Sequence, residues 1–227
     1  MGGVEDHTRV TQDYLKVIWS AVEWGDPPIT TKGLADRFGT TQANVSETLR
    51  RLHARSLVIY QPYRPVTLTS RGEQLALQMV RRHRLIETFL TETLGYAWDE
   101  VHDEAERLEH SVSDKLVDRI DTLLGRPEAD PHGDPIPAAD GTRRHPPDVL
   151  KLSEAPPGRY RVVRVADDDP TRLVRLKATA LLPGAVVQVR DDELRTVLIE
   201  PAPSAARPLN LDRTDLVAVR VTLTEDM

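Results

Sequence analysis

Apolar residues Val10, Tyr14, Val17, Ile18 and Ala21 recur at helical spacing, and the run Gly25-Asp26-Pro27-Pro28 stops the pattern, so residues 9–24 are expected to form a first helix. Thr30 or Thr31 then caps a short helix through Leu34, Ala35 and Phe38 that ends at Gly39. Thr40 or Thr41 caps another through Val45, Leu49 and Leu52. Two short helices around a glycine turn form a helix-turn-helix pattern. Residues 57–60 and 66–69 alternate as two strands, and the polar, proline-rich tip Gln61-Pro62-Tyr63-Arg64-Pro65 between them reads as a wing.

A long helix is predicted from a cap at Ser70 to Leu94, ended by Gly95, and a second from a cap at Asp99 to a stop at Gly125. On the second, Val101, Ala105, Leu108, Val112, Leu116, Ile120 and Leu123 form one apolar stripe, suited to a neighbouring helix or a second subunit. Residues 126–147 are rich in Pro, Gly, Asp and His without periodicity and read as a linker. Beyond it, residues 160–165, 173–176, 185–190, 196–200 and 217–223 are short strand candidates, enough for a small five-stranded barrel. The fold class expected is mainly α with a small β part. The domains expected are a winged helix over 1–74, a helical domain over 75–140, a linker over 141–150 and a barrel over 151–227.

The chain contains no cysteine, which excludes disulfides, thiolate metal sites and cysteine nucleophiles and points to a cytoplasmic protein. No stretch approaches the roughly 20 apolar residues that span a bilayer, and residues 1–13 lack the apolar core of a signal peptide. The net charge of -6 argues superficially against nucleic acid, but it is unevenly spread. Residues 1–90 hold 12 Lys plus Arg against 9 Asp plus Glu, leaving 18 against 27 for the remainder. The front of the chain suits phosphate and the back suits cations.

His102, Glu106, Glu109 and His110 occupy positions i, i+4, i+7 and i+8 of the second long helix, within about 100° of arc. The preceding helix contributes His83 and Glu87 as an i,i+4 pair. Either set alone reads as a solvated helix face. Six imidazoles and carboxylates beside an apolar seam favour a metal site, and without a thiolate the set suits manganese, iron(II), zinc or cobalt better than copper(I). On the presumed recognition helix, Thr41, Gln42, Ala43 and Ser46 are placed to enter a major groove, while Arg50, Arg51, Arg55 and Arg64 can meet phosphates or simply form a basic face.

The run Arg82-His83-Arg84-Leu85, followed by Val101-His102-Asp103-Glu104-Ala105, by Glu109-His110 and by Asp134-Pro135-Ile136-Pro137, resembles the diphtheria toxin repressor (DtxR/MntR) family over nearly the whole chain. The resemblance implies a winged helix, a helical dimerisation domain and a C-terminal SH3-like barrel. It implies a primary metal site at Asp13, Glu106, Glu109 and His110, and an ancillary site at His83, Glu87 and His102 with Asp167 from the barrel. Asp13 and Glu106 stand where iron-sensing members carry Met and Cys, so the resemblance is to the manganese branch. Lys16 stands where short manganese sensors carry a Glu, which argues against their close binuclear site.

The reading that results is a manganese(II)-dependent (Mn2+) transcriptional repressor, not an enzyme, acting as a homodimer on double-stranded operator DNA. An iron(II) (Fe2+) repressor of the same fold remains open. So does a metallohydrolase, because Glu106-Arg107-Leu108-Glu109-His110 lacks only the first His of an H-x-x-E-H pattern. A metal-independent winged-helix protein would leave the clustered ligands unexplained.

Overall fold

The computed structural model describes residues 6–142, 148–190, 196–200, 209 and 211–224. The chain divides into two compact units, the first comprising Met1–His83, Glu109–Asp114 and Pro137–Thr142, the second Arg84–Leu108, Lys115–Ile136 and Arg143–Met227.

In the first unit α1 (Arg9–Glu23) begins at Thr8, whose hydroxyl accepts from Thr11 N. Thr30 caps α2 (Thr31–Arg37) and Thr41 caps α3 (Gln42–Ala54) in the same way, which settles both alternatives left by the sequence. Tyr14, Leu15 and Ile18 of α1 share one apolar core with Leu34 of α2 and with Val45, Leu49 and Leu52 of α3. Tyr14 stacks on Phe38 with ring centroids 4.5 Å apart. The wing is an antiparallel pair, β1 (Val58–Ile59) with β2 (Thr67–Leu68). It leads into α4 (Ser70–Leu94), which crosses from the first unit into the second. The cap of α4 lies one residue earlier than expected, because Thr69 Oγ1 rather than Ser70 accepts from Gly72 N. Gly72 is required there: a Cβ at this position would lie 1.9 Å from the Leu57 carbonyl oxygen.

The second long helix is not continuous. It splits into α5 (Val101–Leu108) and α6 (Asp114–Leu123). Arg82, almost wholly buried, explains the break: its Nη1 takes the Glu109 carbonyl at 3.1 Å, and its Nη2 pairs with the Asp114 carboxylate. A carbonyl taken by a guanidinium ends one helix, and an acidic residue in the next first turn starts another. The apolar stripe breaks with it. Val101, Ala105, Val117 and Ile120 are buried, whereas Leu116 and Leu123 are exposed.

In the second unit five antiparallel strands, β3 (Val149–Lys151), β4 (Gly158–Val165), β5 (Val186–Val189), β6 (Val197–Glu200) and β7 (Val219–Leu223), are ordered β3-β7-β4-β5-β6. This sheet is consistent with an SH3-like domain, and Tyr160, Val162, Val187, Val189, Val219 and Val221 supply much of its core. The strand expected over 173–176 is instead part of α7 (Pro170–Ala178). Asp169 caps it, Pro170 fills its first position, and Leu173 and Leu176 drop into the core one turn apart. The expected strand 217–223 starts two residues late because α8 (Arg213–Ala218), closed by a capping box between Asp212 and Asp215, precedes it. The strand β3 was not among those expected and straddles the expected boundary between the linker over 141–150 and the barrel over 151–227. In the stretch 126–147, also read as a linker, Asp130, His132, Asp134 and Ile136 are buried. Residues 143–147 of the expected linker lie outside the described residues.

Candidate metal centres and nucleic-acid interface

The break between α5 and α6 turns Glu109 and His110 toward α1. One ligand atom from each of Asp13, Glu109 and His110 lies within 4.8 Å of the others. His110 Nε2 is 2.9 Å from Asp13 Oδ1 and 3.4 Å from Glu109 Oε1. On its other side the ring's Nδ1 meets Gln12 Oε1 at 2.7 Å; an amide oxygen only accepts, so Nδ1 carries the proton and Nε2 faces the carboxylates. Glu109, fully buried, receives Lys16 Nζ on Oε1 and His83 Nδ1 on Oε2, both at 2.6 Å. Burial alone would raise the Glu109 pKa, but His83 and Lys16 together hold it below the ordinary carboxylate value. Burial dominates at the neighbours instead, raising Asp13 and lowering His110 although each favours the other's charged form. Both shifts disfavour charge, and a cation placed among these atoms would reverse that.

Within the second unit, Glu87, His102 and Asp167 also bring ligand atoms within 4.8 Å of one another. His102 Nδ1 is 3.1 Å from both Glu87 Oε1 and Asp167 Oδ2, and its Nε2 is 3.5 Å from Glu106 Oε1. Burial opposes the imidazolium, yet the hydrogen bonds to Asp167, Glu106 and Glu87 outweigh it and push the His102 pKa up to about 12. Asp167, the most distant residue in sequence, thus joins two helical ligands from the loop that follows β4.

Glu106, expected with Glu109 and His110, stands beside His102, one turn along α5; His83, expected with Glu87 and His102, also meets Glu109 Oε2 through Nδ1 at 2.6 Å. Gln12 and the buried Asp130, His132 and Asp134 were not singled out from the sequence.

In the first unit, Thr41, Gln42, Ala43, Arg50, Arg51 and Arg64, expected to meet DNA, are exposed and Ser46 is half-buried. Gln42, Ser46 and Arg50 share with Lys32, Tyr63 and Arg64 a groove of about 520 Å3 between α3 and the wing. Arg50 is held by Glu47 at 2.6 Å and Arg51 by the Thr48 hydroxyl at 3.1 Å. Arg55, just past α3, bonds to His7 Nδ1 at 3.1 Å.

A winged helix-turn-helix beside clustered imidazoles and carboxylates defines a DNA-binding protein with the donors of a metal sensor, and the comparisons agree. Residues 6–66 match the family described as iron dependent repressor, N-terminal DNA binding domain, and residues 69–138 the one described as iron dependent repressor, metal binding and dimerisation domain. The chain is 31% identical to the iron-dependent repressor IdeR of Mycobacterium leprae (strain TN) over 86% of its own length and 90% of that protein's. It is 33% identical to the diphtheria toxin repressor of Corynebacterium jeikeium (strain K411), over 82% of its own length and 78% of the relative's. Among solved structures, a manganese-dependent transcriptional repressor in complex with manganese superposes with a TM-score of 0.86 at 43% identity, covering 94% of this chain and 100% of that one. The apo form of the manganese-activated repressor ScaR gives 0.79 at 32%, covering 93% and 100%. The chain belongs to the diphtheria toxin repressor (DtxR/MntR) family and is a metal-dependent transcriptional repressor, not a metallohydrolase.

Proposed function

We propose that this repressor answers manganese(II), acting as a cytoplasmic homodimer on operator DNA. The observation that carries the choice of ion is the donor set of the first cluster. Asp13, Glu109 and His110 present carboxylate oxygens and imidazole nitrogen only, in a chain with no cysteine, and hard oxygen donors suit manganese. In this reading Asp13, Glu109 and His110 hold the primary ion, with Glu106 a further carboxylate donor. Glu87, His102 and Asp167 hold an ancillary ion, with His83, one turn before Glu87 on α4, as a further ligand.

The ion supplies positive charge and a fixed ligand geometry. What the chain supplies is position. Asp13 lies on α1, which packs on the recognition helix α3, while Glu109 and His110 lie on the segment between α5 and α6. Drawing these three carboxylate and imidazole groups to common contacts favours one placement of α1, and any placement that also fits DNA is thereby populated. Linkage makes the effect reciprocal: operator DNA tightens metal binding.

The test is binding of metal-stripped protein to genomic DNA fragments, with manganese(II) or anaerobic iron(II), comparing wild type with Asp13→Ala and Glu106→Ala. Specific binding that needs manganese and fails in Asp13→Ala supports the reading; Glu106→Ala tests that residue's part. Stronger activation by iron(II) would transfer the protein to the iron branch, the second reading, which the iron-dependent relatives favour. Equal binding in chelator would sink the metal switch.

A further inference from the structure

We propose that Glu87, Asp130 and His132 form a further divalent-cation site, buried within the second unit and sharing the Glu87 carboxylate with the cluster at His102 and Asp167. Ligand atoms of the three lie within 4.8 Å of one another, and all three side chains are buried. The decisive atom is His132 Nδ1. His132 is wholly buried, and its Nε2 lies 2.6 Å from the Trp98 carbonyl oxygen. A carbonyl only accepts, so Nε2 carries the hydrogen, and the ring turns Nδ1 toward the carboxylates. That nitrogen has no hydrogen-bond partner among the described residues and stands 4.0 Å from Glu87 Oε2.

The distance is informative. A charge-assisted hydrogen bond would draw nitrogen and oxygen to about 2.8 Å. Two ligands about 2.1 Å from one ion stand roughly 3 Å apart when adjacent and about 4.2 Å apart when opposite. The observed gap lies within the second range. Asp130 completes the set. Its Oδ1 is engaged by the backbone N–H groups of His132 and Asp134, each at 2.9 Å, whereas Oδ2 has Arg84 Nε at 3.7 Å, beyond hydrogen-bond reach.

The loop holds these donors rigidly. Gly133 takes a φ of +88°, and a Cβ there would lie 2.0 Å from the Val163 carbonyl oxygen, so only glycine permits this approach to β4. The His132 carbonyl accepts from Val165 N at 2.9 Å. Asp134 pairs with both Arg84, at 3.2 Å, and Arg164, at 2.6 Å, and Arg84 Nε also stands 3.7 Å from Asp130 Oδ2, within ion-pair distance. One imidazole and two carboxylates suit manganese(II), iron(II), cobalt(II) or zinc. Because the donors are buried, loading requires the loop to open and is therefore slow.

This site extends the metal-responsive reading but does not depend on the Asp13 cluster. The experiment loads full-length, metal-stripped protein with manganese(II), counts bound ions after dialysis, and records the electron paramagnetic resonance spectrum. His132→Gln keeps an N–H for the Trp98 carbonyl and removes Nδ1; Asp130→Asn keeps Oδ1 for the two backbone donors and removes the charge. The expected result is one ion fewer in each variant, together with loss of the spin coupling between two ions that share Glu87 in the wild type. Equal ion counts in wild type and a folded variant would overturn the site. Should both variants unfold, the saturated wild type still decides, since a spectrum of isolated ions only would overturn it. Loss of every bound ion from a folded variant would overturn a separate site, and absence of any bound ion in wild type would instead sink the metal-sensing reading itself.

Discussion

Gln12 and His110 are 98 residues apart, yet the Gln12 amide oxygen takes the His110 Nδ1 proton at 2.7 Å while its Nε2 donates to the His7 carbonyl at 3.0 Å. The amide fixes both the tautomer and the tilt of a proposed ligand. Partners of this kind are worth about 10- to 100-fold in metal affinity. Gln12→Leu is therefore expected to weaken manganese binding at the Asp13 cluster by that factor, with the metal-free melting temperature little changed. Calorimetric titration of wild type and variant checks it; unchanged affinity would show that His110 needs no such support.

His102 carries a proton that an ion must expel. Its pKa lies at about 12 in the folded protein against an ordinary 6.5, so the imidazolium form stabilises the metal-free fold fully below about pH 6.5, and that contribution disappears as the pH rises toward 12. At pH 7.5 the ring is charged, and ion uptake at Glu87, His102 and Asp167 should release close to one proton per ion. Affinity at this cluster should rise with pH through neutrality. Titration in buffers of different ionisation enthalpy measures the proton count, and His102→Gln should abolish the release.

Base contacts and phosphate contacts should separate between α3 and the wing. Gln42, exposed at the first turn of α3, is expected to read a base edge, so Gln42→Ala should cost about 1–3 kcal/mol and relax preference at one operator position. Arg64 at the wing tip should contact phosphate. Arg64→Ala would weaken binding to all sequences alike and reduce the salt slope by about one. Anisotropy titrations over a salt series, on operator and scrambled duplexes, distinguish the two outcomes.

Gly72→Ala tests the packing of α4 on the chain before the wing. The added Cβ would meet backbone oxygen at 1.9 Å, and backbone cannot swing aside as a side-chain tip can. A loss of about 1–3 kcal/mol is expected, read as a lower denaturation midpoint. An unchanged midpoint would mean that the helix start can shift freely.

The helices of the first unit were legible in the sequence because their start and stop residues are local: Thr8, Thr30 and Thr41 cap, and Gly25 and Gly39 end. What was not legible depends on partners far along the chain. The interruption after α5 rests on Arg82, 27 residues earlier than the Glu109 carbonyl it binds, and Ser113-Asp114 at the start of α6 was its one local sign. Periodicity placed Glu109 and His110 on the face of His102 and Glu106, whereas the break sends them to Asp13. Leu173 and Leu176 looked like strand residues because a short apolar run fits either period, and the Asp169 cap with Pro170 was the deciding clue. The buried loop around His132 was hidden by its composition, since proline, glycine and charge usually mark exposed chain.

Lys16 gives the Asp13 cluster a resident cation. Its ammonium, 2.6 Å from Glu109, keeps that carboxylate ionised and in place before any ion arrives. In the reading proposed for this cluster, sensing is an exchange between two positive charges rather than the filling of a vacancy, and the concentration at which the repressor responds is set by a difference between two affinities. One side chain therefore holds the set point: Lys16→Met should leave Glu109 undercompensated, hungrier for metal and less selective about when it is satisfied.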